Sequence, residues 1–172
     1  MLIAGLLWVS ACAPELSQTP LPVDLLRELP RADRAPAAES HRLITVEVVS
    51  PDGSPRPALV MRASSRVIWH VQMTEAAELR TTLARVDDGS GGNLSVRLGV
   101  SDGRLYEDVY WERALAADGA SQAWQPLVVD LSPYSGWKWS VFYRPARRVW
   151  LLILNVQGSG AVALAEPVIV PR

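Results

Sequence analysis

The sequence predicts an all-β fold, an antiparallel two-sheet β-sandwich or jelly roll of about eight to ten strands behind an irregular N-terminal tail. Three observations predict it. From His41 onward, short segments rich in Val, Ile, Leu, Thr and Trp recur, separated by Gly, Pro, Asp and Ser. After residue 40 no stretch keeps a helical period. Apolar residues make up 49% of the 172, enough for one packed domain plus a tail.

The chain opens on an apolar run from Leu2 to Val9, too short for the roughly 20 residues with which a helix spans a bilayer. The run ends in Val9-Ser10-Ala11-Cys12. This resembles the lipobox of bacterial lipoproteins: an aliphatic residue, two small ones, then the cysteine whose thiol becomes a thioether to diacylglycerol. Residues 1–11 then read as a signal peptide and Cys12 as the lipid attachment site, with the membrane a partner through that anchor. Nothing basic precedes Leu2, where signal peptides carry Lys or Arg, so the true start is expected upstream of Met1. Ala13 follows the cysteine, where inner-membrane lipoproteins often carry Asp; the resemblance implies outer-membrane sorting.

Residues 12–40 hold five prolines and read as a semi-extended tether, with one short helix over Val23–Leu29 before Pro30. The domain is expected over 41–172, with strands near 42–49, 57–62, 66–73, 78–86, 94–101, 104–112, 124–131, 138–143, 147–156 and 161–170. Ser101-Asp102-Gly103-Arg104 has the sequence of a two-residue type I′ hairpin, because Asp-Gly tolerates positive φ at both central positions. That turn sets Leu98 opposite Glu107, Val96 opposite Val109, Leu94 opposite Trp111 and Arg97 opposite Asp108. Glu107 is then the one polar residue on an apolar face. The segment Arg147–Val156 is apolar on both faces, as in a central strand covered on both sides or one meeting a partner.

Charge narrows the function. Lys+Arg is 17 against Asp+Glu 18, which lacks the basic excess of a nucleic-acid binder. A single cysteine excludes an internal disulfide and a cysteine-based zinc site. His41 and His70 are expected as strand residues rather than metal ligands. No GxSxG, HExxH, P-loop or dinucleotide glycine pattern is present, and Gly158-Ser159-Gly160 reads as a hairpin turn. No cofactor is implied. The loop from Asp87-Asp88 to Asn93 offers several oxygens, a weak calcium candidate that reads first as a plain loop. Glu107, Asp108 and Glu112 offer carboxylates, but alternation sets Glu107 and Asp108 on opposite faces, so that pair cannot do glycosidase chemistry.

A family resemblance enters on Arg56-Pro57-Ala58-Leu59, Ser64-Ser65-Arg66-Val67, Ala77-Glu78-Leu79 and the closing Ala165-Glu166-Pro167-Val168-Ile169. Its most distinctive tract runs from Trp124 through Val129-Asp130-Leu131-Ser132 to Tyr134 and Gly136: a core Trp, an alternating strand, then a turn that Asp130 and Ser132 can bond. Over about residues 56–170 the chain resembles the galactose-binding-like jelly-roll modules of bacterial surface proteins. It is similar in particular to the non-catalytic modules appended to secreted sulfatases and other carbohydrate-active enzymes. The resemblance implies a binding or accessory module rather than an enzyme. Two features depart from it: the stretch before the last strand is short, and Ala165-Glu166 stands where an aromatic is usual.

Sugar binding uses aromatic platforms beside polar groups. Two patches fit: Tyr134, Trp137 and Trp139 after the strand near 124–131, and Tyr106 and Tyr110 with Glu107 along the expected hairpin. The function expected is therefore a lipid-anchored, non-catalytic carbohydrate-binding module. The alternative is an envelope lipoprotein whose sandwich binds a partner protein through an exposed apolar patch around Trp150; a carbohydrate-active hydrolase is the third reading.

Overall fold

The computed structural model describes residues 21–73, 75–86, 92–101, 107–116, 123–135 and 149–172. Among the described residues, eleven strands form two antiparallel sheets: β1 Val23–Asp24, β2 Asp33–Ala35, β3 Ile44–Val49, β4 Arg56–Arg62, β5 Ser65–Gln72, β6 Ala77–Val86, β7 Leu94–Ser101, β8 Glu107–Leu115, β9 Gln125–Asp130, β10 Val149–Gly158 and β11 Ala161–Pro171. One sheet runs β3-β4-β11-β6-β9, with β1 beside β11; the other runs β2-β5-β10-β7-β8. Strands consecutive in sequence (β2 and β3, β4 and β5, β6 and β7, β8 and β9, β10 and β11) hold matching places in the two orders. The chain thus crosses between sheets at every such step, which is the two-sheet sandwich that the alternation predicts.

Alternation builds the core. On β7, Leu94, Val96, Leu98 and Val100 are at most 2% exposed, and on β10 Trp150, Leu152, Leu154 and Val156 point the same way. They meet Leu59, Met61, Leu83 and Leu164 of the other sheet. Burying a side chain of this size is worth about 1.5–3 kcal/mol. On β11 the register shifts between Ala165 and Val168, where Glu166 takes φ 51°. The bulge turns Glu166 out to solvent and returns Ile169 to the core at 0% exposure.

Four expectations change. Residues 21–40 belong to the sandwich, not to a tether. Asp24 caps the short helix α1, Leu25–Glu28, by accepting from the Leu26 and Arg27 amides at 2.9 and 3.1 Å. Leu25 and Leu29, four apart on one helical face, are 2% and 5% exposed. Trp69 donates its Nε1–H to the Leu25 carbonyl at 3.1 Å. β1 pairs with β11 and β2 with β5, so this segment straps both sheets. A second short helix, α2 at Ser40–Leu43, carries His41 on the surface.

The β7–β8 register also differs. Ser101 pairs with Glu107, Val100 with Asp108 and Gly99 with Val109; a bulge follows, after which Leu98 pairs with Trp111, Arg97 with Glu112 and Leu94 with Leu115. The ladder begins three residues later than an Asp-Gly turn requires, and the bulge adds one more. This register pairs Leu94 with Leu115 and gives Arg97 the carboxylate of Glu112. Asp102 and Gly103 themselves lie outside the described residues, as does the strand expected at 138–143.

Gly158-Ser159-Gly160 is not a hairpin turn. It carries the chain from β10 in one sheet to β11 in the other, with φ 104° and 111° at its glycines. Trp124 is not a core residue. It is half-buried, packs on the outer face of the six-stranded sheet and donates to the Ser54 carbonyl at 3.2 Å.

Candidate functional site

The outer face of the five-stranded sheet takes its rows from the register. Arg66 on β5, Asn155 on β10, Arg97 on β7 and Glu112 on β8 stand side by side across four strands. Three strand spacings make this row about 14 Å long. The next row holds Ile68, Ile153 and Gly99, an apolar strip in which Ile153 is 5% exposed. On the other side come Gln157, Ser95 and Ala114. There the strands end in a pocket of about 420 Å³, lined by Asn93, Leu94, Ser95, Ala114, Leu115, Ala116, Gln157 and Gly158.

Glu112 and Arg97 organise the row. Glu112 Oε1 accepts from Arg97 Nε at 2.9 Å and from the Ser95 hydroxyl at 2.9 Å. The hydrogen bond from Arg97, with that from Ser95 second, holds the Glu112 carboxyl below its ordinary range, so it stays ionised and accepts only. Both bonds fall on Oε1. Among the described residues, nothing bonds Glu112 Oε2, the two Nη groups of Arg97, the amide of Asn155 or the guanidinium of Arg66. The row therefore presents acceptors and donors a few ångströms apart, with the Arg97 and Glu112 side chains 40% and 44% exposed. At the far end of the face, His70 Nε2 and Asp33 Oδ2 meet at 3.0 Å and tie β2 to β5. His70 is thus a strand residue in hydrogen-bond contact with Asp33. No group of three His, Cys, Asp or Glu gathers among the described residues.

The residues expected to bind sugar fall differently. Tyr134 is 7% exposed and stacks edge-to-face on Trp150, ring centroids 5.3 Å apart. Its ring is part of the core and cannot serve as a platform. Trp150 is 5% exposed, which removes the apolar surface patch expected around it. Trp137, Trp139, Tyr106, Asp87, Asp88 and Cys12 lie outside the described residues, as do the side chains of Tyr110 and Glu107. By register Glu107 sits opposite Ser101 and Glu112 opposite Arg97, four residues apart on β7. That separates the two backbone positions by about 13 Å along the strand. The Arg97–Glu112–Ser95 cluster was hidden from the sequence: residues 15 and 17 apart meet only once the bulge is known. One local trace existed, Arg97 on a strand position facing away from the core.

No protein-family model and no curated protein matches the sequence. Among solved structures, the fold is similar to the K1 cleaved adhesin domain of Lys-gingipain from Porphyromonas gingivalis W83, at TM-score 0.55 and 10% identity over 82% of this chain and 90% of that one. The K3 domain of the same protein matches at TM-score 0.53 and 10% identity, over 88% and 98%. The CBM22-1 xylan-binding domain of Paenibacillus barcinonensis Xyn10C superposes less closely, at TM-score 0.47 and 14% identity over 80% and 83%. At such identities the first two matches show a shared two-sheet sandwich.

Proposed function

We propose that the chain is a non-catalytic carbohydrate-binding module, held at a membrane by lipid on Cys12, that binds glycan along the Arg66–Asn155–Arg97–Glu112 row. The observation that carries this is the uncommitted pair formed by Glu112 Oε2 and the Arg97 Nη groups, beside a pocket of about 420 Å³. Neighbouring hydroxyls on a sugar ring donate to a carboxylate and accept from a guanidinium, so this pair matches a vicinal diol. The pocket is of the size that takes a small ligand unit, within the roughly 300–1,000 Å³ of such sites. Trp137, Trp139, Tyr106 and Tyr110 remain the candidate aromatic platforms, Glu107 a further contact, and Asp87 and Asp88 the place to look for calcium. The state of Glu112 argues against its being the acid of a glycosidase. A glycosidase acid needs a raised pKa, whereas the bond from Arg97 lowers this one.

The test is a glycan array probed with the wild type, Arg97→Gln and Glu112→Gln. One glycan class should bind the wild type, and each variant should weaken it by roughly 10- to 100-fold, the worth of one charge-assisted hydrogen bond. Wild-type silence across the array, or unchanged binding by both variants, removes the reading. In cells, Cys12→Ser should release the protein from membranes; retention after a salt wash rejects the anchor.

A further inference from the structure

Sheet edges invite other chains, and three of the four end strands here are protected. β8 carries a bulge and exposed Glu112 and Arg113. β9 carries Pro126, which has no N–H to give. β2 is three residues long and is followed by Pro36. The fourth, β3, is not short, bulged or proline-bearing, and its one charge, Glu47, is paired with Arg62 of its own chain at 3.5 Å. It runs six residues, pairs with β4 without a register shift, and holds no proline. Among the described residues nothing pairs with its outer side. Val46 and Val48 lie on its core-directed face, opposite Leu59 and Pro57, yet are 53% and 72% exposed. The cause is local: β2, at the matching place in the other sheet, is too short to cover them.

We infer that β3 is a self-association edge, where a second copy of this chain adds its own β3 antiparallel about a two-fold axis through Val46. The sequence of β3 selects that register. Centred on Val46, the pairing sets Val46 against Val46, Ile44 against Val48 and Thr45 against Glu47, so apolar meets apolar and hydroxyl meets carboxylate. Centred on Glu47, it would oppose two carboxylates. Centred between residues, it would set Val46 against Glu47 and put apolar side chains on the solvent face. Of the antiparallel registers that pair five or more of the six residues, this one alone is self-complementary, the requirement for a closed two-fold interface. The edge lies in the sheet that does not carry the Arg97–Glu112 row, so the dimer and the glycan reading stand or fall separately.

Sedimentation and cross-linking test it on the chain carrying Cys12→Ser, which removes the single native thiol. The parent should sediment as a dimer at tens of micromolar. Val46→Lys sets two ammonium groups against each other and should weaken dimerisation by roughly 100-fold. Because Val46 is half exposed, the thermal midpoint of the variant should stay close to that of the parent. Val46→Cys should form a disulfide-linked dimer on oxidation, since Cα atoms in a directly opposed pair lie about 4.5–5.5 Å apart. Val48→Cys should not, because the two Val48 positions would be about 13 Å apart. A parent that stays monomeric at several hundred micromolar, a dimer indifferent to Val46→Lys, or equal cross-linking at 46 and 48 overturns the inference.

Discussion

On the outer face of the six-stranded sheet, Ala58, Val60, Ala161, Ala163 and Ala165 lie at 0–1% exposure, with Trp124, Val49 and Val86 packed against them. On the outer face of the five-stranded sheet, Arg97 and Glu112 keep 40% and 44% of their side chains in solvent, beside Asn155 and Arg66. Both faces come from the same period-two alternation. The difference is the size of the outward residue. Small side chains on β4 and β11 leave room for an indole to lie down, and Arg56 stacks 5.8 Å from its centre. Long polar side chains on β5, β7 and β10 leave no such bed and project instead. One face has been closed with apolar surface and contributes stability; the other carries hydrogen-bonding groups that no described residue pairs, and contributes little.

The contrast can be broken at four points. The largest effect should come from Gly158→Ala, at the pocket end of the open face. Gly158 has φ 104°, and a Cβ there would stand 2.2 Å from the Asn93 carbonyl oxygen. Loss of about 3 kcal/mol or more is expected, read from the urea midpoint. Next, Trp124→Ala should cost about 2 kcal/mol, less than a fully buried Trp because the ring is half exposed, and should leave glycan binding unchanged. Arg97→Gln should do the reverse, shifting stability by less than about 0.5 kcal/mol while binding falls. If Trp124→Ala abolishes binding at unchanged stability, the two faces have been assigned the wrong roles. The smallest effect is in titration. The Glu112 pKa is depressed in the folded state, so its pairing is present above the ordinary carboxylate range and is lost as pH falls through the lowered value. Carboxyl NMR should place Glu112 below an ordinary glutamate, and Arg97→Gln should bring it back up.

What the sequence made legible follows from length and periodicity. β7 was expected at 94–101 and is found there; β5, β6 and β11 differ from expectation by one residue at either end. These strands repeat the alternation often enough to be read. β1 and β2 are two and three residues long, too short for any period, and lie among prolines that argued for a tether. Yet Asp24, Leu25 and Leu29 make a capped, amphipathic turn, and the expected helix before Pro30 was its trace. The site was less legible than the fold. Arg97 and Glu112 meet through a bulge that no residue type announces, so Asp108 was assigned the place of Glu112. Tyr134 and Trp150 show the other limit. An aromatic beside a turn and one on a strand apolar on both faces are equally suited to surface and core, and only the partner across the sandwich decides.

The strap made by β1, α1 and β2 changes the reach of the module. Were Cys12 lipidated as proposed, at most residues 13–20 rather than 13–40 would separate it from the strap. Eight residues can span no more than about 28 Å. On the proposed anchor the sandwich therefore rides close over the lipid headgroups. On that anchor its ligands would lie within one domain's height of the bilayer, which would favour glycans of its own envelope over those of a distant surface. On the same proposal, any pull on a captured ligand would reach the lipid through this strap, whose β1 pairs with β11 and whose β2 pairs with β5.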